Sequence, residues 1–573
     1  MPKKIMYRLR MELTIPPGED PQKFKKRVKR KILDGAWLSD VNISGNKVIA
    51  TRDLKGKGHG RIAKLRNAIR KHIKDVGGVL YYEIDSFAYK TMGSASYMGY
   101  KVHIPKLANG TINYQWNHDC VNFPKAIEKI SKPNTVGLGE LNQDLGHKAT
   151  GIRVFQFDTG YSNHEAIHSY PGYLSQDKPE GKDLSLSFVH DEKMIARDDL
   201  SDYFLATSAY QKPAHATATA FTMIGQGKRD EHAWRFYPPA LQGREKSIRS
   251  IRTVNYGKGL FPYVEFVPVR ISATVSLGGD GARDLMPNVG DADRLIVAVD
   301  HAIKNKADVI TMSMGGSLFG EQKETIKDRF KAAYSNGIII VCAAGNGEIT
   351  DAIFDVVTPA KYGSTIAVAA VEPYFDNHDK QLAIIPWDES CDGEEVDISA
   401  PGKYIYTCFK LDPDKIQPDD KFIYPQLQKG DLYKFGGATS QATVHVASAA
   451  ALWRFYYNDK LKSDPFYYDA ANKQFNAKVV EAFRYALQKS KNTFRGEYGD
   501  WNEVDSGPMS KHNHHRRDKR DKNLEDGKVE NKKTWLSDYK GVLDVYSMID
   551  EAYAPDTPSC KAFAEKAVRS QGF

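Results

Sequence analysis

The sequence predicts a large α/β domain preceded by a small α+β domain of ferredoxin-like order. Three observations carry this. IRVFQFDTG (Ile152–Gly160), ADVITMSMGG (Ala307–Gly316) and GIIIVCAAGNG (Gly337–Gly347) are apolar, β-branched runs ending in glycine-containing turns, as buried strands do. Two stretches dense in alanine, HATATAFTMI and TSQATVHVASAAALW, read as close-packed helices. Residues 1–88, by contrast, alternate short strands with amphipathic helices. A chain of 573 residues has room for two or three domains and a substantial core.

In the small domain, Tyr7–Ile15 reads as a strand and DPQKFKKRVKRKIL as a helix with Phe24, Val28 and Ile32 on one face. WLSDVNIS and NKVIATRD form a hairpin through Gly45-Asn46. RIAKLRNAIRKHIKDV sets Ile62, Leu65, Ile69, Ile73 and Val76 on one helical face, and VLYYEIDSF ends the unit as a strand. The order β-α-β-β-α-β is the ferredoxin-like one.

In the large domain, four polar residues fall at the ends of elements. GGATSQATVHVASAAALW (Gly436–Trp453) sets Ser440 after a glycine-rich turn where a helix begins, beside unpaired N–H groups and a positive dipole end. Asp158 ends a buried strand, where a carboxylate is held rigidly and shielded from water, as an acid orienting an imidazole must be. His215 follows Pro213 and opens an alanine-rich helix. Asn346 ends the third strand, where its amide can donate to a developing oxyanion.

Each has a plainer reading. A serine in the setting of Ser440, taken alone, is more often a helix N-cap. A histidine before such a helix is more often packed or capping, and Asn between glycines tolerates left-handed backbone. Phe-Asp-Thr-Gly also fits two carboxylates sharing one proton. The second Asp-Ser-Gly (Asp505–Gly507) has no apolar strand before it, so it mirrors the first poorly. These separate readings do not explain why four such sites occur in one chain.

Together the residues resemble the subtilisin-like serine proteases, the subtilases, in which the catalytic residues follow in the order Asp, His, Ser. The resemblance runs from Tyr114 to Tyr553. It implies a three-layer αβα fold around a mostly parallel sheet and a serine endopeptidase acting through an acyl-enzyme. Asp158 is then the acid, His215 the general base, Ser440 the nucleophile and Asn346 the oxyanion-hole side chain. Ser313, Met314, Gly315 and Gly316 become the strand that pairs with substrate, and Ala343, Ala344, Gly345 and Asn346 a wall of the primary pocket. TPAKYGSTIAVAAV, VDISAPG and YKGVLDVYSMIDEAY resemble further family landmarks. Many subtilases carry a prodomain of the size and order of the N-terminal unit, which assists folding and blocks the site. The resemblance thus implies an inhibitory domain over residues 1–88, a linker with any self-cleavage site at 89–110, a catalytic domain at 111–555 and a tail at 556–573. No cofactor is expected for catalysis. Structural calcium occurs in the family, but no spacing here assigns a site.

Three positions depart from the family pattern. Ala216 follows the base where Gly is usual, Ala438 replaces a Gly before Thr439, and Val444 replaces a Pro. If the backbone at 438 needs positive φ, alanine is strained there unless Gly436 and Gly437 take up the demand. No reacting group is lost, so efficiency is at stake more than chemistry. A catalytically weak scaffold of the same fold is the alternative these positions keep open.

Charge divides the chain. Residues 1–80 hold 21 Lys and Arg against 7 Asp and Glu, or +14, while the whole chain is +9, leaving −5 on residues 81–573. A basic small domain beside a mildly acidic body suits docking of one on the other. KFKKRVKRK is also a footprint for nucleic acid. Its basic residues form the polar face of an amphipathic helix, without the interleaved aromatics of single-strand binders, so a solvated face is the commoner reading. The expected partners are a protein or peptide substrate and the N-terminal domain as intramolecular inhibitor, not nucleic acid or membrane.

No apolar run of about 18 residues suggests a membrane span. MPKKIMYRLRMELTI reads as a strand and not as a secretory signal. Cys120, Cys342, Cys391, Cys408 and Cys560 lack metal-ligand spacing, and Cys342 belongs to an apolar strand. These features favour a reducing, cytoplasmic setting, with secretion as the alternative if a signal has been trimmed. After Asn346 the loop GEITDAIFDVV carries Glu348, Asp351 and Asp355, acids that would suit a basic substrate residue if they faced the pocket. Residues 505–533 are almost wholly polar and read as a surface loop.

Overall fold

Successive residues of a strand point to opposite faces of its sheet, and this sequence loads both faces of its central strands with apolar side chains. The computed structural model describes residues 7–15, 18–26, 40–44, 47–54, 88–91, 115–130, 150–160, 164–168, 186–187, 215–225, 229–230, 254–255, 259–271, 291–317, 321–346, 356–375, 382–387, 390–410, 431–492 and 540–571. At the N-terminus, β1 (Tyr7–Thr14), β2 (Asp40–Ser44) and β3 (Lys47–Leu54) form an antiparallel sheet of order β1-β3-β2. The expected hairpin is present, with Ser44 opposite Lys47. Its second strand lies between β1 and β2. A helix at 21–26 follows β1, started by Asp20, whose carboxylate accepts the Lys23 N–H at 2.8 Å. The second expected helix and the strand VLYYEIDSF, up to residue 87, lie outside the described residues. Residues 89–91, expected as linker, belong instead to strand β4 (Ala88–Thr91).

The large domain contributes β5 (Arg153–Asp158), β6 (Leu186–Ser187), a short antiparallel pair of β7 (Arg229–Asp230) and β8 (Val254–Asn255), then β9 (Glu265–Arg270), β10 (Val309–Met312), β11 (Met314–Ser317), β12 (Ile339–Ala343), β13 (Ile366–Phe375), β14 (Leu382–Pro386) and β15 (Ile398–Pro401). The central sheet runs β14-β13-β12-β10-β5-β9-β6, with β15 also beside β13. Every pairing in it is parallel except β13 with β14.

The alternation sorts side chains between two cores. Val154, Val309, Ile339, Val341, Ile366, Val368 and Ala370 enter one. Phe155, Phe157, Ile310, Met312, Ile340, Cys342, Ala367 and Ala369 enter the other. Full burial of a Val, Ile or Phe side chain contributes about 1.5–3 kcal/mol, so both faces hold the sheet. The helix Thr439–Tyr456 crosses the first face, buried from Thr439 to Arg454, and packs on β10, β12, β13, β15 and the helix His215–Ile224. Small side chains (Ala442, Ala447, Ala449, Ala450, Ala451) permit that close approach. The helices Asp291–Lys304 and Glu321–Ser335 cover the second face through Leu295, Val299, Ile326 and Phe330. The predicted three-layer α/β arrangement is therefore observed.

At the C-terminus the structure corrects the expectation of a tail. Residues Pro558–Ser570 form a helix packed on the helix Lys478–Ser490, with Cys560 and Ala564 buried. The landmark segment before it is tied in by Val542, which bridges to both Ser399 and Asn492.

Candidate active site

Strand alternation decides where Asp158 points. Val154, Gln156 and Asp158 share the face of β5 that meets the helix His215–Ile224. His215 is the first residue of that helix, and its Nδ1 lies 2.7 Å from Asp158 Oδ1. The same oxygen accepts the Thr159 N–H at 2.8 Å, and Thr159 Oγ1 accepts the Ala216 N–H at 3.2 Å. With Nδ1–H donated to Asp158, Nε2 is the free-lone-pair nitrogen, and it lies 3.2 Å from Ser440 Oγ. All three residues are at most 1% exposed. Low local dielectric strengthens each bond of this relay.

Ser440 is the second residue of its helix, and the turn before it is where the chain departs from its family. Ala438 stands at φ 154°, ψ −177°, a region that glycine enters freely and alanine does not. The neighbouring glycines therefore do not absorb the demand. Ala438 N–H donates to the Gly402 carbonyl, which locks the turn. Ala216 and Val444, by contrast, are buried in regular helix.

Asn346 follows β12 and is fully buried. Its Oδ1 accepts from Thr439 Oγ1 at 2.7 Å and from the Thr439 N–H at 3.2 Å. Two donors on one atom settle which end of the amide is oxygen. They also tie the amide to Thr439, the residue immediately before Ser440.

Ser313 joins the nucleophile to β11. Its carbonyl accepts from Ser440 Oγ at 3.2 Å, and its own hydroxyl donates to the Ser440 carbonyl at 2.9 Å. From there β11 leads away, and β4 lies antiparallel on it, with Thr91 opposite Met314, Lys90 opposite Gly315, Tyr89 opposite Gly316 and Ala88 opposite Ser317. Across from β11 runs the wall Ala343–Asn346. Val357 sits between the two: a β-carbon at Gly315 would lie 2.5 Å from its Cγ2, and one at Gly345 would lie 3.0 Å from its Cγ1. Val357 excludes a side chain at Gly315, whereas Gly345 also stands at φ 125° with Cys391 Sγ 2.7 Å from the β-carbon position, so glycine is required there.

The structure thus brings together Asp158, His215, Ser440 and Asn346, with Ser313, Met314, Gly315 and Gly316 on one side and Ala343, Ala344 and Gly345 on the other. The loop acids Glu348, Asp351 and Asp355 and the polar segment 505–533 lie outside the described residues. Sequence reasoning missed Thr159 and Thr439, which hydrogen-bond with Asp158 and Asn346. Their signal was adjacency: each is a threonine next to a candidate site residue, Asp158 or Ser440, at an element boundary. Among the described residues, no helix is long and apolar enough to cross a membrane, and none of the five cysteines forms a disulfide, the Cys342 thiol being raised in pKa by burial.

A buried Asp-His-Ser relay, in that chain order, on a mostly parallel sheet covered by helices is the arrangement of a serine peptidase-like α/β protein. The chain belongs to the Subtilase family, whose profile matches residues 149–493. Over 163 residues it is 36% identical to subtilisin E of Bacillus subtilis (strain 168), covering 28% of this chain and 35% of that protein. Over 176 residues it is 30% identical to an intracellular serine protease of Paenibacillus polymyxa, covering 30% and 44%. The match to subtilisin E thus spans about a third of that protein's length. Fervidolysin from Fervidobacterium pennivorans, a keratinolytic enzyme related to subtilisin, superposes with a TM-score of 0.48 at 16% identity, covering 85% of this chain and 58% of that chain.

Proposed function

We propose that this protein is a serine endopeptidase that cuts peptide bonds in proteins or peptides through an acyl-enzyme. The relay from Asp158 through His215 to Ser440, at 2.7 and 3.2 Å, carries this reading. His215 Nε2 takes the Ser440 proton as Oγ attacks the scissile carbonyl, and returns it to the leaving amine. Asp158 holds the tautomer and stabilises the imidazolium. Asn346 Nδ2, turned away from Thr439 by the bonds to Oδ1, and the Ser440 N–H receive the oxyanion. These side chains complete the chemistry without a cofactor. The substrate adds a strand to β11, and the apolar Val357 between the pocket walls favours an unbranched apolar residue over a basic one. Incubation with a fluorophosphonate probe tests the reading. Label is expected on Ser440 and absent in His215→Ala; labelling elsewhere would sink it.

The pairing of β4 with β11 favours a second element of this function, inhibition by the chain's own N-terminal region. A segment occupying the substrate strand excludes other peptides from it, and the basic charge of residues 1–80 complements the acidic remainder. β4 runs toward Ser440 in the direction Ala88 to Thr91. From this register we propose the bond after Met92, the residue that follows Thr91 in sequence, as the self-cleavage site.

A further inference from the structure

We infer that Gln156 and Thr219 are positioning residues that hold the carboxylate of Asp158 through its second oxygen. Gln156 is a buried amide, 2% exposed, in a strand whose neighbours are apolar. Burying such a group is costly unless it is hydrogen-bonded. Its Nε2 uses both hydrogens, on Thr219 Oγ1 at 2.7 Å and on the Ala216 carbonyl at 3.0 Å. Thr219 lies one helical turn after His215 and is fully buried.

Because Thr219 Oγ1 accepts from Gln156, its single proton points elsewhere. Three acceptors are in range: the Ala216 carbonyl at 3.0 Å, the His215 carbonyl at 3.2 Å and Asp158 Oδ2 at 3.4 Å. The carbonyls are neutral helix acceptors, whereas Oδ2 belongs to an ionised carboxylate, to which hydrogen bonds are roughly twice as strong. Asp158 Oδ1 already holds His215 and Thr159. Thr219 is the donor that the described residues place within reach of Oδ2. Catalytic hydrogen bonds that are long at rest tighten as charge develops. Gln156 thus aims the Thr219 hydroxyl, and Thr219 keeps the Asp158 carboxylate turned toward His215. The charged group nearest in register is Arg270, paired with Asp158 on β9.

This inference rests on the peptidase reading, and the test separates the two. Thr219→Val removes the donor while keeping the shape, Thr219→Ser restores it, and Gln156→Leu removes the aim together with the bond to the Ala216 carbonyl. For Thr219→Val we expect kcat to fall about tenfold with KM nearly unchanged. The acid limb of kcat/KM should also move to higher pH, because the unshared carboxylate pulls harder on the imidazolium proton. Thr219→Ser should recover both, and Gln156→Leu should shift both in the same direction by less. If the wild type hydrolyses peptides but Thr219→Val and Gln156→Leu change only the thermal midpoint, the positioning role is overturned and the peptidase reading stands. A wild type that neither labels at Ser440 nor hydrolyses peptides overturns both.

Discussion

Ser440 and Ser313 hydrogen-bond each other in both directions, hydroxyl to carbonyl, at 3.2 and 2.9 Å. This reciprocal pair joins the helix of Ser440 to the strand on which β4 lies, so the register of β4 is measured from Ser440 Oγ. Full-length protein should therefore release a fragment whose N-terminal sequencing begins at Gly93, while Ser440→Ala stays intact. Cleavage at another bond would refute the register, and full activity in an uncut chain would refute inhibition.

Ala438 holds a backbone conformation suited to glycine, at a cost of about 1–3 kcal/mol. Ala438→Gly should relieve it, less the extra chain entropy that glycine loses on folding. The expected outcome is a net gain of about 1 kcal/mol in a urea titration, with undiminished kcat. A loss of stability would show that the turn is not strained.

Asn346→Ala should lower kcat by about 10²- to 10³-fold with a small change in KM, as loss of an oxyanion donor does. Thr439→Val leaves the donor but frees the amide, so its loss should be intermediate. Steady-state kinetics on one peptide substrate would separate the three proteins, and equal kcat for wild type and Asn346→Ala would remove Asn346 from the mechanism.

His445, five residues after Ser440, donates from Nδ1 to the Gln441 carbonyl at 2.8 Å and meets Asn117 Nδ2 through Nε2 at 2.8 Å. Burial pushes its pKa down to about 4. Between pH 6.5 and about 4 the unfolded chain binds a proton that the folded protein does not, so stability is lost as pH falls through that window. The slope is at most about 1.4 kcal/mol per pH unit. Urea midpoints at several pH values should show it, and His445→Gln should reduce it, leaving the share of His118, whose pKa burial lowers to about 3. An unchanged slope would mean that His445 is not the group responsible.

Local pattern was enough for most of the fold. Buried strands at Asp158, Ser313 and Asn346, and alanine-rich helices at His215 and Ser440, follow from periodicity and side-chain size, and the structure has each. The small domain was legible in its hairpin, where Gly45-Asn46 sits between two strand patterns. The C-terminal helix was not: its apolar face is short, with Cys560 and Ala564 buried only because the helix Lys478–Ser490 lies beneath.

The sequence by itself determined which residues to look for together, because a strand-end acid, a helix-opening histidine, a turn serine and a strand-end asparagine are local features in a telling order. The tertiary structure decided what depends on partners far along the chain: the pairing of Thr91 with Met314, the bond between Ser313 and Ser440, and the reach of Thr219 to Asp158. It also decided that Ala438 bears the strain beside Gly437, since Gly402, distant in sequence, holds that turn in place. Such contacts are set by packing between elements, which no local spacing encodes.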